Sequence, residues 1–356
     1  MERPDLSKTA PEVRAYIEFL EQKLRVREVE KVRPVAAVTS SLRDEIPTAS
    51  LPPEPPTSSI NIVTISTKGF SKRSLRHEYT RQHRAGMGVF DLDVDAPDFP
   101  DILVAAEPTQ NLLLFTNTGR VFRQKLSILD EVPVRNKGQF LLDRLPIEQN
   151  EQVIAALPEQ AQGYVAMVSE IGRVRCFRHH LFGEHMRPGA TYLNKDMGPL
   201  SAVCWTPGDA DLFILSKHGI AIRFSEKLVS PQGEVGLKLA AGDKVTAIAS
   251  VRDDSRLYMM GADGKGAVRV MTSFAPNKSV GGSGKIAIKN DSIVGAFVVE
   301  PDDDIFAISR MSKLIRFPAS EVPETEGVVQ GVNCMNLRAD EVVAVIKSSL
   351  STYQNF

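Results

Sequence analysis

Hydrophobic and polar positions alternate in two different ways along the 356 residues. Near the start, Val13, Ile17, Leu20 and Leu24 recur at steps of four, three and four, which places them on one narrow stripe of a helix. Thr9-Ala10-Pro11-Glu12 supplies a capping box ahead of that stripe, with proline in the first turn where its missing N–H costs nothing. The pattern predicts an amphipathic helix within residues 1–32. So narrow a stripe fits either packing of the helix on its own domain or docking on a second helix, including self-association through Val13, Ile17, Leu20 and Leu24. Residues 33–59 are rich in Pro, Ser and Thr and poor in large apolar residues, so a flexible linker is expected there.

From Ile60 onward the helical period disappears and short β-branched and aliphatic runs follow, punctuated by Gly, Asn, Asp and Pro. Six segments share one pattern: IVTISTKGFSKRS, LLLFTNTGRVFRQK, YVAMVSEIGRVRCFRH, LFILSKHGIAIRFS, LYMMGADGKGAVRVM and IFAISRMSKLIRFP. Each is an apolar strand, a tight turn and a strand that mixes apolar residues with Arg or Lys. The turns carry Gly69, Gly119, Gly172, Gly219 and Gly264, with Ser312 in the sixth, at spacings of 50, 53, 47, 45 and 48. A second set, Gly88, Gly138, Gly189, Gly236, Gly284 and Gly331, keeps step at 50, 51, 47, 48 and 47. A period of about 40–50 residues with about four strands per unit is the signature of propeller blades. The expected fold is therefore all-β: a six-bladed β-propeller or pinwheel disc over 60–350, preceded by the helix and the Pro/Ser-rich linker. The terminal DEVVAVI, Asp340 to Ile346, repeats an inter-blade strand without a hairpin after it and is expected to complete the first or the last blade.

Composition narrows the function classes. The chain is 42% hydrophobic and 24% charged, as globular proteins are, with no apolar run near the ~20 residues of a membrane-spanning helix. The opening MERPDLSKTAPE lacks an apolar signal core, so a cytoplasmic, nucleoid-associated protein without membrane contact is expected. Cys176, Cys204 and Cys334 are odd in number and unpaired in spacing, which points to reduced thiols. GGSGKI, Gly281 to Ile286, echoes a phosphate loop, but Ser279 and Ile286 stand where glycine and a magnesium-binding hydroxyl belong. His179, His180 and His185 have no matched ligand spacing, and Asp302 to Asp304 read as a solvated turn. No cofactor, metal or catalytic constellation is indicated.

Lys plus Arg total 43 against 44 for Asp plus Glu, so only the distribution of charge can identify a partner. The first unit and its following turn hold Lys68, Lys72, Arg73, Arg76, Arg81 and Arg84 against the single acid Glu78. Later hairpins add Arg120, Arg123 and Lys125, then Arg173, Arg175 and Arg178, then Arg223 and Lys227, then Lys265 and Arg269, then Lys313 and Arg316. Arg173 and Arg175 share one strand face while Val174 and Cys176 share the other, so a belt of cations open to solvent is expected around the ring. Such a belt suits the phosphates of duplex DNA, and glycines such as Gly86 and Gly88 allow close approach of backbone N–H groups to an anion.

These hairpins, ending GRVFR or GIAIRF and followed by basic glycine turns, resemble the C-terminal β-pinwheel of the DNA gyrase A family and its topoisomerase IV relative, over about Ile60 to Ile346. That family carries a box, Q-R-R-G-G-K-G, in its first blade. QHRAGMG matches it in register at Gln82, Arg84, Gly86 and Gly88, with His83 for an Arg, Ala85 for a Gly and Met87 for the Lys. Degenerate equivalents are VRNKGQ, with Arg135 and Lys137, and MRPGAT, with Arg187. The resemblance implies a non-catalytic protein that bends or wraps duplex DNA on its perimeter, and its candidate partner is a gyrase or topoisomerase IV. It also implies a free-standing pinwheel, because no breakage-reunion region with its catalytic tyrosine precedes Ile60. The rival expectation is a protein-interaction propeller that has kept the fold and lost wrapping.

Overall fold

The computed structural model describes residue 47 and residues 50–349. The helix expected within 1–32, with its stripe of Val13, Ile17, Leu20 and Leu24, and the linker up to residue 46 lie outside the described residues.

Each of the six hairpins forms where its pattern predicts. They pair Asn61–Ser66 with Phe70–Leu75, Asn111–Thr116 with Arg120–Lys125, and Tyr164–Ser169 with Arg173–Arg178. They continue with Asp211–Ser216 and Ile220–Ser225, Arg256–Gly261 and Lys265–Val270, and Asp304–Ser309 and Lys313–Pro318. The first strand of each is buried along nearly its whole length, which is why it reads as a continuous rather than an alternating apolar run. The turn residue adopts left-handed φ in every unit, from Gly69 at 94° to Ser312 at 60°, the conformation that selects glycine. A third strand then pairs with the first on the inner side: Pro100–Ala106, Val153–Pro158, Leu200–Thr206, Val245–Val251, Ile293–Val299 and Val342–Ser348. The terminal strand thus completes the sixth blade, on Asp304–Ser309.

The outermost strand of each blade comes from a neighbouring repeat. Gln139–Phe140, which follows the second hairpin, pairs with Phe70–Leu75 of the first. Ala190–Thr191, Glu234–Val235 and Lys285–Ile286 pair in the same backward step with blades two, three and four. Val332–Asn333 does so with blade five, joined there by Glu324–Thr325. Val89–Phe90, after the first hairpin, pairs with Lys313–Pro318 of the last, so the exchange runs full circle and the ring is closed. Apolar side chains fill the layers between blades, as where Leu113 and Phe115 of the second meet Val165, Met167 and Phe177 of the third.

The second glycine landmark marks the step onto the neighbouring blade. Gly88 has φ 71°, and a Cβ there would lie 2.6 Å from the carbonyl oxygen of Leu314 in the sixth blade. In the fourth unit this position belongs to Gly233, at φ 93°, immediately before Glu234–Val235; Gly236, expected from spacing, does not have positive φ.

Candidate nucleic-acid interface

Counting from the turn residue sorts the hairpin cations into different environments. The fourth position holds Arg73, Arg123, Arg223 and Arg316, and these brace the ring. Arg73 Nε donates to Leu129 O at 2.6 Å, Arg223 Nη1 to Met271 O and Phe274 O at 3.0 and 3.1 Å, and Arg316 Nη1 to Tyr79 O at 2.9 Å. Each acceptor lies in or next to the short 3-10 turn of the following repeat, so three of these arginines are struts between blades. Arg123 instead pairs with Glu159 of its own repeat, at 2.8 Å. The third and fifth units carry Cys176 and Val268 at this position. There Arg175, one residue earlier, donates to Pro231 O at 2.6 Å, and Arg269, one residue later, to Ala287 O at 2.8 Å and Glu326 O at 3.3 Å.

The expectation of a belt of solvent-facing cations is therefore corrected for seven residues: Lys72, Arg76, Arg81, Arg84, Arg223, Arg269 and Arg316 are buried. Lys72 Nζ lies 2.6 Å from Asp91 Oδ1, within reach of Ser74 and Tyr79 and of the Val134 carbonyl. Burial pushes its pKa below the ordinary lysine value while the Asp91 carboxylate pulls the other way. Arg76, Arg81 and Arg316 converge on one carboxylate, Asp304, with Arg81 Nη2 and Arg316 Nη2 each at 2.7 Å. Because Asp303 and Asp304 are both buried, the solvated turn expected at Asp302 to Asp304 is solvated only at Asp302.

QHRAGMG sits at the joint between first and last blades. Gln82 N donates to Arg316 O at 2.8 Å, and His83 Nδ1 lies 2.6 Å from Glu321 Oε1. Arg84 N donates to Glu321 Oε2 at 2.7 Å and its Nη1 to Asn333 O at 2.9 Å. Ala85 takes left-handed φ of 66°, and Asn336 N donates to Gly86 O at 2.9 Å. Gly86 and Gly88 are thus used for chain-to-chain approach across the joint. Only Met87, 53% exposed, projects from the turn.

Eight of the expected cations remain exposed: Lys68, Lys125, Arg135, Lys137, Arg178, Arg187, Lys227 and Lys313. Lys68 lies beside the first hairpin turn. Arg135, Lys137 and Arg187 lie on two adjacent rim segments, those that follow the second and third hairpins, where Asp130, Glu131 and Glu184 are exposed too, while Lys125 and Arg178 end the hairpin strands themselves. Arg135 is held over the Phe90 ring at 5.3 Å. Arg73, Arg120, Arg123, Arg173, Arg175, Lys265 and His83 are partly exposed. Most of these are engaged, as Arg120 is with Glu151 at 2.6 Å and Arg173 with Asp196 at 3.7 Å. The residue just before the crossing glycine is exposed in each rim turn, as Met87, Lys137, Pro188, Gln232, Ser283 and Gln330, and only Lys137 of these is a cation. The rim after the sixth hairpin is acidic, with Glu324 and Glu326 exposed. The rim after the fifth hairpin exposes Lys278, Lys285 and Lys289 with no acid between Met271 and Lys289, so charge on the perimeter is uneven.

The inner strands surround a channel with a cavity of about 820 Å³, walled by Leu157, Trp205, Phe297 and Ile346 among others. Burial pushes the Cys204 thiol well up, and that of Cys176 up to about 12. Among the described residues no helix is long and apolar enough to cross a membrane.

A closed ring of six blades that exchange their rim strands is a β-propeller of the pinwheel kind. The chain belongs to the DNA gyrase C-terminal domain, beta-propeller family, whose sequence profile matches residues 61–107, 110–158, 210–252 and 303–349. Those segments are the four repeats with arginine at the fourth position; the repeats holding Cys176 and Val268 fall outside them. Among curated relatives, the DNA gyrase A protein of Salmonella typhimurium is 30% identical over 295 residues, which is 79% of this chain and 34% of that protein. The DNA gyrase A protein of Mycobacterium leprae is 28% identical over 304 residues, 81% of this chain and 24% of that protein. The chain thus spans about a quarter to a third of the length of these relatives. Among solved structures, a DNA gyrase A C-terminal domain superposes with a TM-score of 0.71 at 23% identity, covering 81% of this chain and 99% of that one. The C-terminal domain of a DNA topoisomerase IV gives 0.56 at 21% identity, covering 81% and 93%. Both likenesses are of fold.

Proposed function

We propose that the ring binds duplex DNA non-catalytically along one arc of its rim and bends it there. The observation that carries this reading is the exposed set Lys125, Arg135, Lys137, Arg178 and Arg187 in two adjacent repeats of a gyrase-family pinwheel. Cations placed this way contact phosphates, which position the duplex without reading bases. With the sixth rim segment acidic and seven arginines and lysines committed to the interior, the favourable path for DNA is an arc, and the energy gained covers a bend more readily than a full turn. A type IIA topoisomerase acting on the same DNA is the partner this reading supports, as suggested by the relatives' names.

The test is salt-dependent binding to short and long duplexes, with Arg135→Glu/Lys137→Glu as the perturbed protein. Binding that weakens steeply with salt, and weakens further in the double variant, supports the arc. Binding indifferent to salt and to the variant overturns it. The near-neutral composition and the acidic sixth rim favour a second reading, a protein-interaction propeller. That scaffold would leave plasmid linking number unchanged in a ligation assay, whereas a bend that traps writhe would shift it.

A further inference from the structure

The joint between last and first blades holds more positive charge than its own acids balance. Three guanidinium groups, from Arg76 and Arg81 of the first repeat and Arg316 of the sixth, meet the single carboxylate of Asp304, which is 0% exposed. Burial and the neighbouring Arg316 both weigh against the charge of Arg76, and its Nε is buried with no hydrogen-bond partner. A second anion is therefore favoured here, and one is present. Glu54 Oε1 lies 2.6 Å from Arg316 Nη2, an ion pair by distance without hydrogen-bond geometry, while the Arg316 side chain is 0% exposed and that of Glu54 is 51% exposed. One residue earlier, Pro53 O accepts from Arg81 Nη1 at 2.9 Å, with Pro52 O at 3.4 Å.

The segment around Glu54 reads Leu51-Pro52-Pro53-Glu54-Pro55-Pro56. Its prolines have no N–H, so except at Glu54 the run Pro52–Pro56 offers only acceptors, and arginine side chains offer only donors. Proline also holds this stretch extended before it binds, so little conformational entropy is lost on docking. Apolar contact is available as well, since Pro52, Pro53 and Pro55 face Pro301 and Pro318 across a cavity of about 740 Å³. Glu300, Asp302 and Asp303 line this cavity too, so the favourable charge is confined to the arginine cluster, where Glu54 sits, and the prolines take the acidic side.

We propose that the closing joint is a binding site for an acidic polyproline segment, and that Pro52–Pro56 is its resident ligand, docked in cis as a latch. Glu54 is the charged tooth of that latch. It engages an arginine of the last repeat while the preceding carbonyls engage an arginine of the first, so the segment adds a second tie across the joint that Val89–Phe90 bridges by strand exchange. This part of the region expected to be a flexible linker has a seat on the ring. The inference is independent of whether the rim binds DNA.

The test uses the full chain with Pro52, Pro53, Glu54, Pro55 and Pro56 all replaced by serine, and a fluorescein-labelled LPPEPPTSS peptide. The peptide binds this latch-less chain saturably, and the same peptide with Gln for Glu binds about tenfold more weakly, the loss expected for one charge-assisted contact. Wild-type chain binds the peptide at least tenfold more weakly than the latch-less chain, because its site is filled. Equal binding of the Glu and Gln peptides, equal binding by wild-type and latch-less chains, or no binding at millimolar peptide each overturns the proposal. A second measurement needs no peptide: in Glu54→Gln, amide exchange at Gln82 and Asp91, whose N–H groups bond across the joint to Arg316 O and Ser312 O, rises severalfold while exchange in the second hairpin is unchanged. Unaltered exchange at Gln82 and Asp91 overturns the latch.

Discussion

Arg223 and Lys137 look alike in the sequence, yet truncating them has opposite consequences. Arg223 is 1% exposed; its Nε lies 2.8 Å from Asp211, its Nη2 2.6 Å from Asp253, and its Nη1 serves two carbonyls of the next repeat. Arg223→Ala strands those carbonyls and the half-buried Asp211 carboxylate, a loss of about 3–5 kcal/mol by analogy with broken buried pairs. With an unfolding entropy of about 2.1 cal/mol/K per residue over about 300 ordered residues, that loss lowers Tm by about 5–8 °C. Lys137 is exposed on the rim, so Lys137→Ala moves Tm by no more than about 1 °C. Its effect is on DNA: removing one phosphate contact lowers the slope of log K against log salt by about 0.9 and weakens binding about eightfold at 0.1 M salt. Differential scanning fluorimetry reads the first effect, and fluorescence anisotropy between 50 and 200 mM salt reads the second. Folded Arg223→Ala protein should keep the wild-type salt slope. An Arg223→Ala protein with unchanged Tm and a reduced slope would refute the division into struts and rim contacts.

Three further outcomes follow from particular residues. Met87→Lys places a cation at the exposed tip of the joint's turn and should raise duplex affinity about eightfold at 0.1 M salt; unchanged affinity would show that DNA does not pass this turn. Ala85→Gly relieves a left-handed alanine and should stabilise the ring by about 1 kcal/mol, read as a raised urea midpoint; a lowered midpoint would mean that the methyl group packs usefully. Burial pushes the Glu226 carboxyl above the ordinary value of 4.5, against hydrogen bonds from Ala210 N, Thr206 Oγ1 and Gly208 N. The folded state then holds the proton more tightly, so its contribution to stability grows as pH falls through the raised value towards 4.5 and is lost as pH rises. Urea midpoints measured from pH 7 down to 4.5 should show this gain in wild type and not in Glu226→Gln, and parallel profiles would contradict it.

The period of the ring was legible because it rests on a backbone requirement. A turn at positive φ asks for glycine in every repeat, and even Ser312 keeps the conformation when glycine is absent. Strand exchange was not legible, because two-residue strands such as Val89–Phe90 pair through backbone groups that every sequence possesses. The misplaced landmark at Gly236 has the same origin: Gly233 and Gly236 are equally good glycines, and only the neighbouring blade decides which one crosses. Arginine was the hardest residue to interpret. Arg73, Arg223 and Arg316 lie on strands in which alternation was read as inside against outside, but in a propeller both faces of a blade meet other blades. What separates a strut from a phosphate contact is the presence of a carbonyl in the next repeat, which no local pattern records.

That ambiguity bears on how the family's box should be understood in this chain. In QHRAGMG the residues that match the family pattern, Gln82, Arg84, Gly86 and Gly88, make the bonds or close approaches that join first and last blades. The positions that differ are partly or fully exposed: His83, 32% exposed, Ala85 and Met87, 53% exposed. Two of the departures also bond across the joint, His83 Nδ1 at 2.6 Å from Glu321 Oε1 and Ala85 N donating to Cys334 O at 2.9 Å, and only Met87 projects freely to solvent. On the proposed DNA-binding reading, His83 and Met87 in place of cations make the first rim turn a weaker phosphate contact than the next rim segment, which exposes Arg135 and Lys137. A closed ring whose exposed cations fall on separate rim segments, interrupted by the acidic sixth, is the physical basis for expecting bending in place of a complete wrap.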